Sequence, residues 1–70
     1  MLPLHIVILR ILKRSNGTAT DKELFRAVKK ILGEDISRSQ FNKMLMVLEV
    51  RGMIIVEPLK KDLKIVRLAS

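Results

Sequence analysis

Apolar residues recur at helical spacing along the first two-thirds of this chain and at strand-like spacing after it. The most sharply bounded stretch is SRSQFNKMLMVLEVRG, from Ser37 to Gly52. Ser37 with Gln40 three residues on is a capping-box pattern, and Gly52 stands where a helix would end in a left-handed turn. Phe41, Met44, Leu45 and Leu48 fall at i, i+3, i+4 and i+7, which gathers them into one core stripe. The opposite arc carries Arg38, Ser39, Asn42, Lys43 and Met46, followed by Glu49. The pattern predicts a helix over 38–51, held from behind and free to read something in front.

Earlier in the chain, Thr20 with Glu23 makes a second capping box, and Asp21 suits the positive end of the helix that follows. That helix is expected over 21–32, stopping at Gly33, with Leu24, Phe25, Ala27, Val28, Ile31 and Leu32 inward and Lys22, Arg26, Lys29 and Lys30 outward. A first helix over 3–14 is opened by Pro3 and closed by Arg10, Lys13 and Arg14, cations that complement its negative end. Its core arc holds Leu4, Val7, Ile8, Ile11 and Leu12. Leu2, Ile6 and Leu9 form another apolar stripe on the far side, which either meets a second copy in a homodimer or is covered by the chain's own strands or tail.

Ser15-Asn16-Gly17 reads as a turn and Gly17-Thr18-Ala19 as a minimal strand, while Ile36 is placed to staple onto Phe41. Past Gly52 the period shortens. Met53 to Glu57 is β-branched and apolar, Pro58 ends it, and Leu63 to Leu68 forms a second strand. A wing-like hairpin over 53–68 follows, with a loop from Pro58 to Asp62 carrying Lys60 and Lys61 and with Ile54, Val56, Val66 and Leu68 facing the helices. The fold class is α+β, mainly α, in one domain over 1–70, small enough that association with a second copy would add useful burial.

Charge narrows the partner. Fourteen Lys and Arg against seven Asp and Glu give a net charge of +7 and a pI near 10.4, which favours a polyanion such as nucleic acid or an anionic membrane surface. The absence of cysteine excludes disulfides and thiolate metal sites, and an intracellular, cytoplasmic setting is the default. The apolar run from Leu2 to Leu12 contains His5 and Arg10, follows no cation and is too short for a membrane span, so it reads as a helix of the fold. Scarce amides with abundant Ile and Lys fit a thermophilic source.

Helix, short strand, helix, turn, helix and hairpin, with SRSQFNKML leading into LEVRGMIIVEP, resembles the winged helix-turn-helix family from Leu4 to Leu68. The resemblance implies that the third helix enters the major groove of DNA while the wing touches the backbone or minor groove. Carried onto this chain, it assigns base and phosphate contacts to Arg38, Ser39, Asn42 and Lys43, and wing contacts to Lys60, Lys61 and Lys64. Residue chemistry agrees: Arg suits the acceptors of guanine, Asn the edge of adenine, Lys and Ser the phosphates, and Met46 a thymine methyl. Lys22 and Arg26 suit backbone phosphates. The wing is short and its loop lacks Arg, a departure from deep minor-groove insertion.

The expected function is therefore binding of double-stranded DNA by a homodimeric transcription regulator or chromatin-associated, nucleoid-bound factor. A second expectation, from another class, is a protein-interaction module within a replication, transcription or membrane-remodelling assembly, using Met46, Val47, Val50 and the stripe from Leu2 to Leu9. RNA binding ranks third because exposed aromatics for base stacking are missing. An enzyme is not expected: His5 is the only histidine and no Ser, Asp or Glu is spaced to orient it. The carboxylates are scattered and each glycine stands alone, so neither a metal, a cofactor, a small-molecule ligand nor a phosphate loop is called for.

Overall fold

The computed structural model describes residues 3–33 and 35–69. Local hydrogen bonding decides where each segment starts and stops. Helix α1 spans Leu4–Arg14 behind Pro3, whose carbonyl accepts from the Ile6 and Val7 amides. Asn16 in the left-handed region (φ 60°) ends it, letting the Gly17 amide reach back to the Leu12 carbonyl at 2.7 Å. Strand β1, Thr18–Thr20, follows and runs straight into helix α2, Asp21–Leu32. Thr20 is therefore both the last strand residue and the helix cap: its hydroxyl accepts from the Glu23 amide at 3.1 Å, and the Glu23 carboxylate accepts from the Thr20 amide.

Helix α3, Arg38–Val50, begins with the same device, Ser37 and Gln40 each accepting from the other's amide at 3.1 and 2.9 Å. It ends in a Schellman turn. Gly52 adopts φ 76°, its amide bonds the Glu49 carbonyl, and the Met53 amide bonds Leu48 at 2.9 Å. The chain is thereby reversed into strand β2, Ile54–Lys60, and returns as β3, Leu63–Leu68.

The three strands form one antiparallel sheet in the order β1-β3-β2. Two details of the hairpin differ from the sequence expectation. Pro58 does not end the strand; it pairs with Lys64, and β2 runs on to Lys60. Because β2 is an edge strand, the missing proline N–H removes no ladder bond on its open side. An irregularity between Pro58 and Lys60 then leads to a tip of only Lys61 and Asp62, the latter left-handed at φ 67°. The first strand also lies one residue later than expected, opposite Ile65, Val66 and Arg67.

Ile54, Val56, Val66 and Leu68 point at the helices and join a core built from Val7, Ile8 and Leu12 of α1, Leu24 and Val28 of α2, and Phe41, Leu45 and Leu48 of α3. Phe41 is wholly buried, its ring 5.1 Å from that of Phe25 in a tilted pair. Ile31 departs from its expected inward place: it is 51% exposed, because α1 leaves a groove beside the last turn of α2 instead of closing over it. The proposed second stripe of α1 is not an open apolar face either, since Leu9 packs against the core and Ile6 is half-buried; Leu2 lies outside the described residues.

These contacts rank two substitutions. Phe41→Ala should cost about 3–5 kcal/mol in urea unfolding through loss of the central core side chain. Gly52→Ala should cost about 1–2 kcal/mol from backbone strain alone, because a Cβ there meets nothing within 4 Å.

Candidate nucleic-acid interface

Three of the expected contact residues stand outward on α3 and remain unobstructed. Ser39, Lys43 and Met46 are exposed and, with Val50, fall at i, i+4, i+7 and i+11, so they form one row along the helix side away from Phe41 and Leu48. Asn42 is also exposed but sits round the hairpin side, where it lines a groove with Met46, Glu49, Val56 and Lys64. The hairpin carries Lys60 and Lys61 exposed at its outer end. Lys22 and Arg26 project from α2.

Arg38 occupies a different position. One of its terminal nitrogens donates to the Asp21 carboxylate at 2.7 Å, and the guanidinium lies 5.1 Å from the Phe25 ring centre and 5.8 Å from that of Phe41. Asp21 is 6% exposed and accepts a second hydrogen bond, through its other oxygen, from the Lys64 amide at 3.3 Å. The pair therefore ties the start of α2 to the start of α3 and to β3. Arg38 still exposes 41% of its side chain, but its planar group is engaged by an acid and two rings rather than extended from the surface. The side chains this face leaves outward are consequently Ser39, Asn42, Lys43 and Met46.

Sequence reasoning placed Asp21 as a partner for the α2 dipole and missed these two contacts, which reach 17 and 43 residues along the chain. Lys29, expected simply to face outward, lies 5.2 Å from the centre of the Phe25 ring, the ring that Arg38 also approaches. No local pattern carries that information; an acid at the first helical position and an Arg at the start of the next helix are its only traces.

Acids thin the positive charge unevenly. Glu57 pairs with Arg67 on the outer sheet face, Glu49 borders the groove with Asn42, and Asp62 shares the hairpin tip with Lys61. The Thr20 amide, then the Thr20 hydroxyl and the nearby Arg26 charge, hold the Glu23 carboxyl below the usual carboxylate range. No described helix is long and apolar enough to cross a membrane, and among the described residues no group of three His, Asp or Glu could hold a metal ion. Comparison with protein-family models, with curated proteins and with solved structures finds no match for this chain.

The Glu23 shift sets a pH dependence. A carboxyl held low in the folded state contributes stability that is complete above its unfolded value of about 4.3 and is lost as pH falls through the lower folded value. The difference in melting temperature between the natural chain and Glu23→Gln should thus be present at neutral pH and vanish in stronger acid.

Proposed function

We propose that this chain is a non-enzymatic winged helix-turn-helix domain that binds double-stranded DNA, as a transcription regulator or chromatin-associated factor. The observation that carries the proposal is the outward row Ser39, Lys43 and Met46 on a helix capped at both ends, with Asn42 and Lys64 sharing the groove between that helix and the hairpin. An α-helix presented this way fits the width of a major groove, where Asn pairs with adenine and a methionine meets a thymine methyl. Lys43, Lys60 and Lys61 supply phosphate contacts, and Lys22 and Arg26 add cations from α2. Arg38 acts by fixing the angle of α3 rather than by reading bases. The net charge of +7 supports a polyanionic partner independently of the fold. A homodimer through α1 would rest on Ile6 and Leu9, which the chain already partly covers.

A docking role inside a larger assembly is favoured by one specific feature. Met46, Val47 and Val50 are 64, 43 and 85% exposed and lie between Lys43 and Arg51, an apolar surface larger than base contacts require.

Titration with random duplex DNA at two salt concentrations separates the two. For DNA binding, affinity should fall about 10³-fold or more between 50 and 200 mM salt if some six phosphates are neutralised. Lys60→Ala with Lys61→Ala should weaken every sequence similarly, whereas Asn42→Ala should narrow the gap between preferred and random sequences by about 1–3 kcal/mol. Absence of binding in low salt would leave docking as the function.

A further inference from the structure

A second charged surface lies on the opposite flank of α2 from Phe25 and Lys29, which meet α3. There α1 and α2 leave two adjoining hollows that share Ile11, Arg14 and Ile31. The floor is aliphatic: Val7 and Ile11 from α1, with Ile31 half uncovered on α2. The rim is cationic. Arg10, Lys13 and Arg14 line it from α1 and Lys30 from α2, and no acidic side chain among the described residues lines either hollow.

Cations closing a helix need no partner when they complement the helix dipole, which accounts for Lys13 and Arg14. It does not account for an isoleucine left 51% exposed between them and Lys30, nor for Arg10 a turn earlier. A phosphate backbone would use the cations but gain nothing from the floor. An apolar centre ringed by charge of one sign is the arrangement of a protein-docking site, where an aliphatic anchor fills the hollow and the rim selects the partner. We infer that the groove between α1 and α2 takes an acidic, amphipathic segment of a partner protein, its Leu or Ile side chains seated on Ile11 and Ile31 and its carboxylates on Arg10, Arg14 and Lys30. The groove stands apart from the outward row of α3, although its rim residue Lys30 lies one turn from Arg26 on α2.

The probe is a synthetic fluorescein-labelled helical peptide with Leu at i and i+4 and Glu at the flanking positions, followed by anisotropy with the full chain. Two companion peptides carry Lys in place of Glu, or Ala in place of Leu. The acidic, Leu-bearing peptide should bind, and each companion should bind about tenfold or more weakly. Arg14→Glu and Ile31→Ser should each weaken the acidic peptide by a similar factor, while Lys60→Ala with Lys61→Ala leaves it unchanged. Circular dichroism verifies folding; should Ile31→Ser unfold, Arg10→Ala with Lys30→Ala, both on exposed positions, replaces it. Three results would each overturn the inference: equal binding of the Ala peptide, loss of binding only on wing substitution, or displacement of the peptide by duplex DNA that Arg14→Glu abolishes. The first two mean unspecific charge attraction, and the third means a nucleic-acid surface.

Discussion

A single carboxylate holds three parts of this small fold in register. Asp21 stands at the junction where β1 becomes α2, nearly out of solvent, and divides its oxygens between the Arg38 guanidinium and the Lys64 amide. A charge so placed must be partnered, because an uncompensated buried carboxylate is costly. Its partners belong to the first turn of α3 and to the returning strand of the hairpin. The angle of the third helix and the position of the hairpin are thus set by the same side chain. Arg38 is further flattened against Phe25 and Phe41, so the ionic contact and the aromatic core reinforce one another.

That constraint shapes what the surface offers. With Arg38 drawn back, the outward row of α3 is short, polar at its start and apolar toward its end: Ser39, Lys43, Met46 and then Val50. Among the described residues, cations with no acid beside them lie elsewhere, on the rim of the groove between α1 and α2. Two faces of α2 consequently have different chemistry, a cation-aromatic junction toward α3 and an aliphatic floor with a cationic rim toward α1.

The helices were legible in the sequence because their determinants are local. Thr20 with Glu23 and Ser37 with Gln40 form the reciprocal caps their spacing implies, and Gly52 takes the positive φ its position requires. Ile54, Val56, Val66 and Leu68 do face the core as expected, but Ile55, Leu59, Leu63 and Ile65 are apolar in the other register, so it is packing against the helices and not alternation that fixes the parity. What was not legible depends on tertiary neighbours. Pro58 reads as a stop, and only the position of β2 at the sheet edge makes it tolerable within a strand. Ile31 has core periodicity, yet nothing on α1 reaches over it. Arg38 has the chemistry of a base reader, and only the nearness of Asp21, 17 positions away, commits it to the fold.

The account turns on the Asp21–Arg38 contact, and a double-mutant cycle in urea unfolding tests it most directly. Asp21→Asn keeps an acceptor for the Lys64 amide while removing the charge, and Arg38→Met keeps an unbranched stem while removing the guanidinium. The singles should each destabilise, and the double should cost less than their sum by about 1 kcal/mol, a value moderated by the partial exposure of Arg38. Strict additivity would contradict it, leaving Arg38 an ordinary surface cation and the orientation of α3 without its fastening.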